Sequence, residues 1–220
     1  STLNASTYTS QDLSGVGSSL TLNITTVDGA VLDATKLATA DAITIGAGTS
    51  SGTSGAVDTL GDNKVTVAIG ATLNISGYTT ETLGGMSNSG TVNVTTASGA
   101  VLDSTNLADA TTITIGAGTA TIDAASTDEA ALAAKTTVNN SATLTINNTV
   151  DQNFGGILSG ALSLVKSGAG TQTLSGNNPY TGTTDIDVGV LKVDGTIGDP
   201  LNAVPVAAGT VSIASGATLS

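Results

Sequence analysis

Short runs in which every second residue is apolar recur along the whole 220-residue chain. TLNIT (21–25), AITIG (42–46), KVTVAI (64–69), ATLNIS (71–76), TVNVTT (91–96), TITIG (112–116) and ATLTIN (142–147) carry the pattern first. ALSLV (161–165), TTDIDV (183–188), VLKVDG (190–195) and GTVSIA (209–214) continue it. Pairs such as Leu22/Ile24, Ile43/Ile45, Val65/Val67, Val92/Val94, Ile113/Ile115, Leu144/Ile146 and Val211/Ile213 fall on one side of a strand, Thr, Asn and Ser on the other. Period two thus predicts strands with one buried and one solvated face. Gly, Asn-Ser and Asp-Gly steps between them supply turn chemistry.

The runs belong to a longer repeat. Residues 1–50 align without gaps on residues 71–120, with 29 of 50 positions identical. A third copy opens at SATLTINNTVDQNFGGILSGALSLV (141–165), and GATLS (216–220) returns to the opening phrase. Repetition at a fixed interval predicts stacked units that bury their apolar faces on one another. Two-residue hairpin signals are scarce, and equivalent phrases recur with one polarity, so the strands are expected to run parallel. At roughly 20–24 residues per coil, the chain would hold about nine or ten rungs, each about 4.8 Å above the last, in a rod roughly 45 Å long. The expected organisation is one domain, 1–220, with repeats 1–70, 71–141 and 142–216 and a further start at 217–220. Two stretches fit less well. VDGAVLDATKLATADA (27–42), copied as SGAVLDSTNLADA (98–110), reads as a broad turn plus a strand. STDEAALAAKT (126–136) contains Ser126-x-x-Glu129, a capping-box spacing, and reads equally as a helical or looped-out insert or as a distorted rung.

Composition sharpens the picture. The chain has no Trp, one Phe (Phe154), three Tyr and one Met, so its core is built from Ala, Val, Leu and Ile in many thin layers. Regular β-branched alternation argues against disorder despite the abundance of Thr, Ser and Gly. Five Lys face 17 acidic residues, giving a net charge of −12. That excludes phosphate-backbone binding and hence nucleic acid, and it disfavours anionic membrane surfaces. No segment is long and apolar enough to insert in a membrane as a helix. The absence of Cys removes disulfides and thiolate chemistry. The chain opens in mid-phrase and closes at the same phase, which reads as a mature or excised piece of something longer.

Residues 161–195, ALSLVKSGAGTQTLSGNNPYTGTTDIDVGVLKVDG, carry a denser motif. Leu164, Lys166, Gly168, Gly170, Leu174 and Gly176, then Asn178, Tyr180, Gly182 and Thr184, then Gly189, Leu191 and Val193 follow one pattern. It resembles the autotransporter-associated β-strand repeat of bacterial autotransporter passengers. The resemblance covers about 30 residues. It implies a right-handed parallel β-helix exported to the surface of a Gram-negative-type bacterium, where family members are often adhesins. The 220 residues do not include that family's carboxy-terminal membrane β-barrel, so a passenger segment, or a protein exported by another route, is the expectation.

Candidate chemistry is sparse. Without His, Cys or Arg, only carboxylates, Lys and Tyr remain for acid–base work. Asp33 and Asp103 are equivalent in the two copies and read as turn caps. Asp185 and Asp187 read as outward-facing. No catalytic, cofactor-binding or metal-ligating residue is assigned, and no cofactor is expected beyond weak, unspecific surface Ca²⁺. Neither a calcium β-roll nonapeptide nor an EF-hand loop occurs. Tyr8 and Tyr78 share a repeat position that becomes Thr149 in the third copy. They read as packing on a turn, in preference to an exposed aromatic patch. Tyr180 reads as anchoring its loop to the adjacent rung. Outward Thr-x-Thr ladders raise an ice-binding reading that their irregular placement disfavours. The sequons at Asn23 and Asn93 are expected by chance in such a composition.

The sequence therefore reads as an extracellular structural or adhesive β-helical stalk of a secreted or cell-surface protein, not an enzyme, with an unidentified cell-surface or glycan partner. A self-assembling filament or matrix protein, joined end to end through open β-helix ends, is the second reading. A polysaccharide-active enzyme is the third.

Overall fold

A computed structural model describes residues 1–16, 20–60, 64–116, 118–123, 132, 136–138, 142–198 and 210–220. They are nearly all β, with parallel strands stacked as a β-solenoid of about nine turns. A helix spans Ser54–Leu60. Ser126 and Glu129 of the capping-box spacing lie outside them. The chain forms two compact units, Ser1–Thr95 with Asn106–Thr112, and Thr96–Thr105 with Ile113–Ser220.

In the first unit, one face stacks Thr2–Tyr8, Thr21–Thr26, Ala42–Ile45, Val65–Val67 and Ser87–Asn88 in chain order, all parallel. Another stacks Val31–Leu32, Gly48–Thr53 and Ala71–Tyr78. Alternation fixes the register, because a slip of one residue would turn every Ile and Val outward. Ile24 accordingly lies over Ile43, and Ile43 over Val65, in a dry column. The hydroxyls of Thr25, Thr44, Thr66 and Ser87 form the matching outward column. Beside it the Asn23 amide donates to Asn4 Oδ1 at 3.0 Å, and the repeat-equivalent Asn93 donates to Asn74 at the same distance.

Two features depart from the alternation. Gly48–Thr53 has no apolar residue, yet it is a strand with Ser50 and Gly52 inward. The buried Ser50 hydroxyl bonds Thr26 Oγ1 at 2.9 Å, and Thr26 Oγ1 also accepts the Gly46 N–H. A satisfied hydroxyl pair thus takes the place of an aliphatic one. The chain then leaves the sheet through the helix. Thr53 caps its start, its Oγ1 accepting the Ala56 N–H at 3.2 Å. A two-turn helix is marginal alone, and burial of Val57 and Leu60 supplies the rest. The 27–42 stretch is the expected strand plus broad turn: Val31–Leu32, then turns whose Leu37 and Ala40 are buried.

The second unit stacks Ala100–Leu102, Gly118–Asp123, Ala142–Asn147, Ser163–Ser167, Thr184–Ile186 and Val211–Ile213 in order, all parallel. Gln152–Phe154, Thr171–Leu174, Val190–Val193 and Thr218–Leu219 form a second parallel stack. Thr136–Val138 pairs with Ile157–Leu158, and Asn177–Asn178 with Thr196–Ile197. Leu144 over Leu164 and Phe154 over Leu174 fill this interior.

Burial alone separates the two columns of the first unit. Ile43→Ala should lower urea-unfolding stability by about 2–5 kcal/mol, whereas Thr44→Ala, one residue on and facing outward, should change it by no more than about 0.5 kcal/mol.

Candidate functional site

The densest chemistry lies in the second unit, over 164–193. Strand Ser163–Ser167 lies between Ala142–Asn147 and Thr184–Ile186, which places Lys166 in register with Ile146 on one side and Ile186 on the other. Leu162, Leu164 and Lys166 alternate inward, and all three are fully buried. The lysine stem completes an aliphatic column, and its Nζ turns into the corner. There it donates to the carbonyls of Ser167 (3.0 Å), Gly168 (2.8 Å) and Val188 (3.2 Å). Among the described residues no carboxylate pairs with it. Burial holds the Lys166 ammonium below the usual lysine pKa.

Two buried amides share this interior. Asn148 Nδ2 donates to the carbonyls of Val150 and Thr171 at 2.9 and 3.0 Å. Gln172 Nε2 donates to those of Gln152 and Thr173 at 3.4 and 3.2 Å. Asn148 Oδ1 and Gln172 Oε1 have no hydrogen-bond partner among the described residues, and each such oxygen costs roughly 1–3 kcal/mol. Asn178 is better served. Its Oδ1 accepts the Leu158 N–H at 3.0 Å while its Nδ2 donates to Gly176 O at 2.8 Å. Tyr180 is buried, its hydroxyl 2.6 Å from the buried Thr184 hydroxyl, and its backbone bridges Gly160 of the preceding coil. It anchors its loop, as the sequence suggests. Burial raises the Tyr180 pKa, against the lowering effect of the Thr184 hydrogen bond.

The glycines of the motif are spacing devices. A Cβ at Gly182 would overlap the Leu162 carbonyl, and one at Gly176 would overlap that of Gly156. At Gly168 a Cβ would overlap the Asn148 carbonyl, and the backbone is also left-handed, with φ +87°. Glycine is required there on two counts. With Leu174 and Leu191 buried as core residues, these positions of the motif have a mechanical role: they let one coil corner lie directly on the next.

The remaining candidates are structural. Asp33 Oδ1 accepts from the Thr35 N–H and hydroxyl at 2.9 and 2.6 Å, and Asp103 Oδ1 accepts from the Thr105 N–H at 2.7 Å. Both cap turns, and the Thr35 hydroxyl and N–H hold the Asp33 carboxyl below its usual pKa. Asp41, Asp28 and Asp151 reach across coils to the N–H groups of Leu22, Thr49 and Thr171, each at 2.7 Å. Asp185 and Asp187 flank buried Ile186 and stand outward. Tyr8 and Tyr78 are buried, not a surface patch, and the Tyr8 hydroxyl donates to Val31 O at 3.2 Å. Among the described residues no group of His, Cys, Asp or Glu is arranged to hold a metal ion, and no helix is long and apolar enough to cross a membrane. The burial of Lys166, Asn148 and Gln172 is the part sequence reasoning missed. Continuing the Leu162/Leu164 alternation by one step reaches Lys166. Asn148 follows a strand end and gives no such signal.

Fold and motif together define a parallel β-solenoid that carries one dense repeat motif. Residues 164–193 match the family model of the passenger-associated-transport-repeat. With the solenoid, that match supports an autotransporter passenger repeat protein. No curated protein and no solved structure matches the chain.

Two measurements test this site. Folding is disfavoured by the Lys166 charge, so the unfolded chain holds that proton to higher pH than the folded one. The Lys166 contribution to stability must therefore rise with pH as it approaches the ordinary lysine value of 10.5. Tyr8 and Tyr180, whose pKa values are raised, act in the opposite sense. The readout is therefore the stability difference between wild type and Lys166→Met. It should move in favour of wild type as the pH rises toward about 10.5, and a flat difference would refute the assignment. For the spacing glycines, Gly182→Ala should speed amide exchange across 160–186 and cost at least about 1 kcal/mol. Gly55→Ala, where the added methyl meets nothing, should leave exchange unchanged.

Proposed function

We propose that this chain is an adhesive segment of an autotransporter passenger, standing outside the outer membrane of a Gram-negative bacterium. The observation that carries the reading is the coincidence of motif and mechanics. The transport-repeat residues 164–193 include Gly168, Gly170, Gly176 and Gly182, which let coils stack at the corners of a parallel solenoid, as Gly46 and Gly90 do in the first unit. Such a fold suits export, because each coil pairs with its neighbours in sequence and can form as the chain emerges.

An adhesive role is supported by the surface. No strand of the first unit from Thr2–Tyr8 through Thr91–Thr96 contains a charged residue. Its outward columns are hydroxyls and amides, able to donate and accept at a regular spacing. The carboxylates that cap turns and coil ends are occupied by backbone N–H groups, which favours a structural over a catalytic role. A net charge of −12 opposes self-association and so favours separate stalks over a filament.

The test uses beads coated with the purified chain and layered on epithelial cells or extracellular matrix. They should be retained above beads carrying an unrelated acidic protein of equal density. Equal retention refutes adhesion, and fibres in electron micrographs of the same preparation would move the reading to the filament.

A further inference from the structure

The first unit carries a groove that none of these roles uses. Its floor is the outer face of Val31–Leu32, Gly48–Thr53 and Ala71–Tyr78, and the helix Ser54–Leu60 rises beside it. The groove has a volume of about 390 Å³ and is lined by Val31, Asp33, Ser51, Thr53, Ala56 and Ser76, among others. It exists because four outward positions are small and in register: Val31 beside Ser51, and Thr53 beside Ser76. The chain then leaves the sheet at Thr53 instead of turning the corner. Val31 is 47% exposed there, an apolar side chain among hydroxyls.

Chemistry narrows the occupant. Ser51 offers one donor and two acceptor sites, Thr53 can still donate while its Oγ1 accepts the Ala56 N–H, and Ser76 can still accept while its hydroxyl donates to Gly52 O at 3.4 Å. Val31 and Ala56 offer a small C–H surface. The strand floor carries no charged residue, and the carboxylate that lines the groove, Asp33, lies 3.7 Å from the Lys36 ammonium. One carboxylate at the rim, on a chain of net charge −12, disfavours phosphate, sulfate and uronate groups. The volume falls in the small-ligand range of roughly 300–1,000 Å³. We propose that this groove binds a neutral sugar unit of a glycan chain, its hydroxyls exchanging hydrogen bonds with the serine and threonine side chains and its C–H face resting on Val31 and Ala56. The biological meaning rests on the adhesive reading above, whereas the binding itself does not.

The experiment titrates the purified chain with neutral malto-, cello-, manno- and galacto-oligosaccharides, and with oligogalacturonate, by NMR and calorimetry. Ser51→Arg fills the groove from its floor and Ala56→Arg from its wall. Thr25→Arg places the same charge on the outward hydroxyl column of the other sheet. Circular dichroism establishes that each variant is folded. At least one neutral sugar should bind saturably, at least tenfold more weakly to both groove variants and unchanged to Thr25→Arg. Oligogalacturonate should not bind. Absence of saturable binding by every neutral sugar, full retention in either folded groove variant, or preference for the acidic sugar overturns the proposal. Sugar binding without bead retention would instead remove the adhesive reading and leave the groove assigned.

Discussion

Direct superposition of one coil on the next, corners included, is the constraint from which the rest of this structure follows. Parallel strands only about 4.8 Å apart satisfy their backbone groups wherever the chain is straight. Corners are harder, because the chain must turn while the carbonyl of the coil before lies almost against its Cα. Gly176 and Gly182 mark the places where even a methyl group would collide with that carbonyl. The interior obeys the same rule. A thin repeated layer has room for Ile, Val and Leu in columns, and Ile24, Ile43 and Val65 keep their places because each sits on its counterpart.

Charge is distributed by the same constraint. A carboxylate on a strand face would stand opposite its neighbours at each rung, where like charges repel. On a turn it can accept N–H groups that the turn leaves unpaired, as Asp33 does with Thr35 and Asp151 with Thr171. An acidic protein with uncharged sheets is the result in the first unit. What such a surface offers a partner is a lattice of hydroxyls and amides, with its charge displaced to the turns.

Most of the fold was legible in the sequence because the repeat states each element more than once. Period two located strands such as Thr21–Thr26 and Ala142–Asn147, and the constant polarity of the copies implied parallel pairing. Gly48–Thr53 escaped notice because its inward positions are Ser50 and Gly52, although its counterpart Gly118–Asp123 has Ala120 and Ile122 there. The helix Ser54–Leu60 was missed because two buried residues three apart are too faint a period to register. The motif residues of 164–193 were legible as a pattern, and their purpose was not. Gly182 announces only that a side chain is missing, and it takes the Leu162 carbonyl to explain why. The groove was invisible, since it depends on where the chain leaves the sheet and on nothing periodic.

Lys166 ties these strands of argument together. An ammonium buried without a counter-ion is costly, and it is held by three carbonyls. Two belong to its own turn, and the third, Val188, belongs to the next coil. A coil ending at residue 183 would therefore leave the ammonium one bond short. Adding the following coil closes the corner and completes the column with Ile186. The unpartnered oxygens of Asn148 and Gln172 draw on the same margin. The corner is thus better satisfied inside a stack than at its end, because the following coil offsets part of the cost of burying this charge.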